Sequence, residues 1–274
     1  MEKVSIIIPT YNGGATMPET LASALGQTYE EKEIIIVDDG STDTAYTHYL
    51  EGLAVDERVV HLLHGEHRGP SASRNLGVDK SEGKYILLLD DDDTIESDYV
   101  QKAVAILEGN GKADVVYSLA DRFGVVEELW NLPPFAPETM LVDNVVFISA
   151  LFDKKLWQEA GGFDESMTKG LEDYDFWLSL MERGARFYRI PEVLFHCRVK
   201  VQSHNLSSAN SEEKMVANYQ YLYEKHKSLF SANQEAYQAA LRRDWIHLRY
   251  VLSQPEKGLK QRIMNRVSSL FLGK

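Results

Sequence analysis

Tyr85-Ile86-Leu87-Leu88-Leu89-Asp90-Asp91-Asp92-Asp93 passes from an apolar run straight into four carboxylates. The apolar half reads as a strand buried on both faces, as in a parallel sheet. The acidic half falls at its mouth, where four like charges repel one another unless something positive binds. A hard divalent cation, Mn²⁺ or Mg²⁺, is the natural guest, because it prefers carboxylate oxygens and can share them with a diphosphate. In isolation the same residues also read as a solvated acidic turn, with Asp93 or Thr94 as N-cap of the next helix.

Working outward, short apolar runs alternate with helical patterns. Strands are expected at Val4–Ile8, Glu33–Val37, Val59–Leu63, Tyr85–Leu89 and Ala113–Tyr117, and helices at Ala15–Leu25, Ser71–Asp79 and Asp98–Glu108. This βαβα order implies an α/β fold with a Rossmann-type, mostly parallel sheet flanked by helices. Ligands of such sheets bind beyond the carboxyl ends of the strands. Those ends carry Pro9-Thr10-Tyr11-Asn12, Asp38-Asp39-Gly40-Ser41 and Asp90–Asp93. Farther on, the three prolines of Asn131–Pro137 mark a loop. Val145–Ser149 reads as a strand, and Lys154–Ala160 as a helix stopped by Gly161-Gly162. Asp173–Arg183 reads as a helix with Phe176, Trp177, Leu180 and Met181 on its apolar side, and everything after Ser211 reads helical.

The 274 residues are 44% hydrophobic, enough for one large domain or a domain with an appendage. A net charge of −13 argues against a general nucleic-acid binder. The single cysteine, Cys197, excludes an intramolecular disulfide and a cysteine zinc site, and fits a reducing, cytoplasmic compartment. Residues 1–10 already read as a strand, so a signal peptide is not expected, and no apolar run reaches the ~18 residues of a membrane span. Residues 257–274 hold five Lys or Arg and no acid, with Leu259, Ile263, Val267, Leu270 and Phe271 on one helical face. They read as a basic amphipathic helix, either packed on the body or lying peripherally at the inner face of a membrane.

The usual phosphate cradles are missing: no Gly-x-Gly-x-x-Gly turn, no Walker loop and no Gly-x-Ser-x-Gly elbow. Phosphate charge must then be met by a metal and by Arg74. A nucleotidyltransferase should carry a basic glycine-rich loop after the first strand, and Pro9–Gly14 has no Lys or Arg. A calcium-binding adhesin is disfavoured because the Asp90 region lacks the glycine and terminal glutamate of an EF-hand loop. A nucleotide-sugar-binding module without turnover is the remaining alternative.

Several motifs together resemble those of family-2 glycosyltransferases. They are Val4–Asn12, Ile36-Val-Asp-Asp-Gly-Ser-Thr-Asp43, Gly69-Pro-Ser-Ala-Ser-Arg-Asn-Leu-Gly77 (with Ser73 in the usual alanine position), Leu89–Asp93, Gly161-Gly-Phe-Asp-Glu165 and Leu171-Glu-Asp-Tyr-Asp-Phe-Trp-Leu178. The resemblance implies a GT-A-like catalytic domain over residues 1–205. Residues 1–118 would be its nucleotide-sugar-binding half, residues 119–205 its acceptor-binding half, and 206–274 a helical C-terminal extension. It implies metal-dependent, inverting transfer of a sugar from a nucleotide-diphosphate sugar, a UDP-sugar foremost, to a hydroxyl of a glycan or lipid-linked acceptor in cell-surface glycan synthesis. Pro9, Thr10 and Tyr11 would line the base and ribose. Asp39 would accept the base N–H, with an Asx turn as the other use of Asp38 or Asp39. Arg74 would bond the diphosphate or the Asp cluster. Asp92 is the leading metal ligand, with Asp90 or Asp91 next and Asp91 also placed for the ribose. Asp93 would cap a helix or touch donor hydroxyls, and His196 would stand near the metal or diphosphate. Asp173 would be the general base, with Glu172 as the alternative. Trp130, Phe135 and Trp157 would be acceptor-side aromatics or core, Trp177 core, and Asp175 structural.

Overall fold

A computed structural model describes residues 1–53, 59–63, 66–109, 113–168, 170–200 and 212–253. Strands β1 (Val4–Thr10), β2 (Lys32–Asp38), β3 (Val59–Leu63) and β4 (Tyr85–Leu88) lie in the order β3-β2-β1-β4, all parallel. Every residue of β1 and β4 is buried, as continuous apolar runs require when both sheet faces are covered. The covering helices here are α1 (Met17–Leu25), α2 (Thr44–Leu53), α3 (Pro70–Lys80) and α4 (Tyr99–Leu107). The approach of α3 to the sheet needs a glycine: a Cβ at Gly77 would come 2.4 Å from Ile7 Cγ2.

Past β4 the sheet turns mixed. It adds β5 (Thr94–Ile95), β6 (Val115–Gly124), β7 (Glu128–Trp130), β8 (Leu151–Asp153) and β9 (Phe187–Val199). The full order is β3-β2-β1-β4-β8-β6-β9-β5, with β7 beside β6. β8 runs antiparallel to β4 and β6, whereas β9 runs parallel to β6. Val145–Ser149 is not the expected strand. It is an irregular segment buried along its length, with Phe147 stacked on Phe195 at 4.4 Å between ring centres. An apolar run reports burial, and burial alone does not distinguish a strand from a packed loop.

The remaining helices are α5 (Pro137–Met140), α6 (Lys154–Ala160), α7 (Glu172–Glu182), α8 (Glu212–Lys225), α9 (Lys227–Ala232) and α10 (Gln234–Ser253). Gly161 ends α6 in the left-handed conformation, φ +85°, as its sequence suggests. Trp177 is core, and Asp175 is structural: its carboxylate receives Lys225 Nζ and His226 Nε2, each at 2.9 Å. Leu222 and Phe230 join the same hydrophobic core, so α8 and α9 pack directly on the α/β body. The amphipathic segment 257–274 lies outside the described residues. No helix among the described residues is long and apolar enough to cross a membrane.

Candidate active site

Because β1, β2 and β4 are parallel, the residues that follow them emerge at one sheet edge. Asn12, at φ +52°, ties two of these ends together. Its Oδ1 accepts the N–H groups of Thr42 (2.9 Å) and Asp43 (3.0 Å), and its own N–H donates to Ser41 Oγ at 2.8 Å. Asp38 makes the Asx turn, accepting Ser41 N–H at 2.9 Å. Pro9 and Thr10 are the buried last residues of β1, and Tyr11 is exposed just beyond. The Thr10 hydroxyl donates to Asp91 Oδ2 and shares a second hydrogen bond with Tyr46. Gly13 leaves room for this: a Cβ there would sit 2.4 Å from Asp91 Oδ2. Burial first, then the charges of Asp92 and Asp90, push the Asp91 carboxyl up to about 6 against the Thr10 hydrogen bond.

The tetrad is therefore a site with surplus negative charge. Asp90 Oδ1 accepts Arg74 Nη2 at 2.8 Å, and Asp92 Oδ2 lies 3.1 Å from Lys200 Nζ. Asp93 Oδ1 accepts Arg198 N–H at 2.8 Å, which fastens it to β9. Neither Asp93 nor Thr94 caps α4, because Thr94 belongs to β5 and Asp98 precedes the helix. Among the described residues no three His, Cys, Asp or Glu side chains gather closely enough to form a metal cage. The carboxylate oxygens of Asp90 and Asp92 are nevertheless of the kind that a hard divalent cation takes.

The structure does not pair His196 with the Asp90–Asp93 carboxylates. Its Nδ1 lies 2.7 Å from Asp121 Oδ1 and its Nε2 3.2 Å from Glu96 Oε1. Phe195 and Cys197 line the cavity beside Asp93, so strand alternation turns His196 to the opposite face. The expected contact with metal or diphosphate is replaced by a pair of carboxylates.

Arg74, only 2% exposed, bridges Asp90 and Glu172, with Nη1 2.7 Å from Glu172 Oε1. Burial opposes its charge, but the two carboxylates outweigh burial and raise its pKa. Of its two expected partners it takes the Asp cluster. Glu172 is thereby committed to a cation, whereas Asp173, half-buried on the first turn of α7, opens on the cavity. Trp130, Phe147 and Asn144 line that cavity with Asp93 and Asp173. Asn144 Nδ2 donates to Asp173 Oδ2 at 2.9 Å. Leu171, at φ +69°, precedes the helix, on which the consecutive Glu172 and Asp173 point about 100° apart, to these separate partners. Of the three candidate acceptor-side aromatics, Trp130 is the one on the cavity wall. Phe135 stacks on Phe187 at 4.2 Å, and Trp157 donates to Asn75 Oδ1 at 3.0 Å.

The sequence reading missed Asn144, Asp143, Lys200 and His67. A signal existed for the first two, since Asp143-Asn144 interrupts an apolar run from Met140 to Ile148. Asp143 is buried, with Oδ1 accepting Tyr219 Oη–H (2.9 Å) and Asn144 N–H (2.8 Å) and no partner for Oδ2 among the described residues. Burial is the main cause that pushes its carboxyl up to about 7. A folded-state pKa raised above the unfolded value stabilises the fold at low pH. That contribution is lost as pH climbs from about 4 to about 7. Asp143→Asn should therefore flatten the pH dependence of stability in that window and exceed the parent at pH 8, by on the order of 3 kcal/mol. Urea midpoints at pH 5 and pH 8 check this; parallel pH profiles for the two proteins would refute it.

Asp39 stands where the base contact is expected, but its own chain holds it. Its oxygens accept the N–H groups of Arg68 (2.9 Å) and Gly69 (2.7 Å), and His67 Nδ1 lies 2.7 Å from Oδ2. The His67 ring also stacks on Tyr11, at 4.1 Å between centres. An imidazole thus occupies the slot between Tyr11 and Asp39. A ligand base entering that slot must displace it, so His67→Ala should tighten UDP binding about fivefold, the worth of roughly one hydrogen bond. Titration calorimetry reads this directly, and weaker binding would make His67 a ligand contact instead.

Comparison with known proteins places this architecture. The profile described as glycosyl transferase family 2 matches residues 5–163, more than half of the chain. An uncharacterised glycosyltransferase of Rickettsia prowazekii is 30% identical over 236 residues, covering 80% of this chain and 70% of its own length. One from Haemophilus influenzae is 27% identical over 225 residues, covering 79% and 75%. The crystal structure of S. aureus TarS 1–349 superposes with a TM-score of 0.68 at 17% identity, covering 98% of this chain and 81% of that one. Its complex with UDP-GlcNAc gives a TM-score of 0.66 at 19% identity, covering 98% and 88%. The mixed α/β sheet with flanking helices is the GT-A architecture, and the chain is a glycosyltransferase belonging to glycosyl transferase family 2.

Proposed function

We propose that the enzyme moves a sugar from a nucleotide-diphosphate sugar, a UDP-sugar foremost, to an acceptor hydroxyl with inversion at the anomeric carbon. The observation that carries this reading is the division of labour across Arg74. On one side lie the strand ends with Tyr11, Asp39 and the carboxylates Asp90–Asp92. On the other, Asp173 opens on a cavity walled by Trp130 and Phe147. Asp173, which opens on the cavity, accepts the proton of the attacking hydroxyl, and Glu172 is held by Arg74. Asn144 orients that carboxylate. Direct displacement from the face opposite the diphosphate forms no covalent enzyme intermediate, so no nucleophilic side chain is required. Tyr11 would stack on the base, and Asp91 would meet the ribose.

Asp90 and Asp92 would hold a divalent cation, Mn²⁺ or Mg²⁺, together with the donor. Such an ion supplies Lewis-acid stabilisation of the leaving nucleotide diphosphate. UDP complexes of the structurally similar TarS support the choice of nucleotide. Residues 1–205 would form the catalytic domain, 1–118 toward the donor and 119–205 toward the acceptor, with 206–274 as its helical extension. The acceptor would be a glycan or lipid-linked hydroxyl in cell-surface glycan synthesis, with 257–274 resting on the membrane that carries it.

Calorimetry with UDP tests the donor side. Binding should be strong with Mn²⁺ and weak with chelator, because the unneutralised tetrad repels a diphosphate. Asp92→Asn should lose most of the metal-dependent part, and Asp93→Asn less. Equal affinity in both conditions would end the metal role.

A further inference from the structure

The outer face of α10 takes no part in the site. Leu241, Trp245, Ile246 and Tyr250 are 41%, 58%, 58% and 63% exposed. At 100° per residue they share one half of the helix with Arg242 and Arg249, which are also exposed. The other half turns inward: Ala240 is buried, Tyr237 packs edge-on against Phe230 at 5.2 Å, and the helix lies on α5. A single exposed leucine needs no explanation, but a stripe joining Trp, Ile, Tyr and Leu does. Its charge is also opposite to that of the molecule. The chain carries −13, yet from 241 to 250 this face holds two arginines and no acid; Glu235, more than a turn earlier, is the acid on the same half of the helix.

We infer that this face docks on an anionic lipid surface. Trp and Tyr side chains favour the interface of a bilayer, where an apolar ring meets polar headgroups. A helix pairing them with aliphatic and cationic residues lies in the plane of that interface. The acidic body is repelled by anionic lipid, so the arginines of α10 supply attraction, about fivefold in partition for each. The placement is apt. α10 rests on α5, and α5 leads into Asp143-Asn144 at the cavity that Asp173 faces. Docking through α10 sets the acceptor side of the enzyme beside the lipid. That last consequence rests on the glycosyl-transfer reading; the docking itself does not. It is also separate from the segment 257–274, since it uses only residues of α10.

The test uses full-length protein and vesicles of phosphatidylcholine, alone or mixed in equal parts with phosphatidylglycerol. Cosedimentation should occur with the mixed vesicles and fall as salt rises. Arg242→Gln with Arg249→Gln should weaken it about 25-fold, and Trp245→Ser with Ile246→Ser at least about tenfold. Tryptophan emission should shift to the blue on mixed vesicles, and Trp245→Phe should abolish that shift, because Trp130, Trp157 and Trp177 are less exposed. UDP binding should stay at the parent level in every α10 variant; a failed donor reading would change UDP binding and leave vesicle binding untouched. Three results would overturn the inference. One is parent-level vesicle binding in the α10 variants, with loss only on Lys260→Gln, Arg262→Gln and Arg266→Gln. Another is no vesicle binding at all. The third is a parent oligomer that the Trp245 and Ile246 changes turn into a monomer, which would assign the face to a second copy.

Discussion

Asp173→Asn should bind UDP as the parent does and transfer sugar at least about 100-fold more slowly. The expectation follows from where the carboxylate points. It opens on the cavity and is steadied by Asn144. A general base acts on the acceptor proton in the transition state, and its removal typically costs 10²- to 10⁴-fold in turnover. Asparagine keeps the shape and an oxygen that can still accept from Asn144, so the fold should survive. Glu172→Gln is the matched control. Its carboxylate is bonded to Arg74, so it should lose stability, on the order of 2 kcal/mol, and keep more activity than Asp173→Asn. Initial rates with a saturating donor, read beside denaturation curves, separate the two. A dead Glu172→Gln beside an active Asp173→Asn would move the base by one residue.

Arg74→Met should show the largest loss of stability of any single change in the site. The guanidinium is buried between two carboxylates, at 2.8 Å from Asp90 and 2.7 Å from Glu172. Breaking a buried pair by removing one partner costs about 3–5 kcal/mol, because the remaining charge is left unpaired in a poorly solvated place. Two are left here. Arg74→Lys keeps the charge but cannot bridge both acids, so it should lose about half as much. Urea unfolding at pH 7.5 measures both variants. A loss below about 1 kcal/mol at neutral pH would mean that the bridge is incidental.

The gathering of three polar strand ends was legible because each one follows a strand. Pro9–Asn12, Asp38–Ser41 and Asp90–Asp93 each continue an apolar run, and parallel strands bring such continuations to one edge without further information. Glu172 and Asp173 were legible as a pair. Which of them is committed was not, because that depends on Arg74, nearly a hundred residues away in sequence. His196 misled for the same reason: its neighbours along the strand are local, but Asp121 and Glu96 come from other elements. Val145–Ser149 failed differently. Its apolar content reported burial correctly, and the aromatic packing of Phe147 replaces the ladder that a strand would have made. His67 could not have been found, since a histidine in a loop gives no sign that it will stack on Tyr11.

The link between α7 and α8 has a consequence for inheritance and for engineering. Asp175 stands two residues after the candidate base, and its partners, the Lys225 ammonium and the His226 ring, come from the segment that follows residue 211. A hybrid that joined the first 205 residues of this chain to another relative's C-terminal helices would keep the acid and lose both partners. The smallest segment that can be exchanged between relatives without breaking this contact is therefore a cassette reaching from α7 through α9. Drift at position 175 should be matched by drift at 225 and 226.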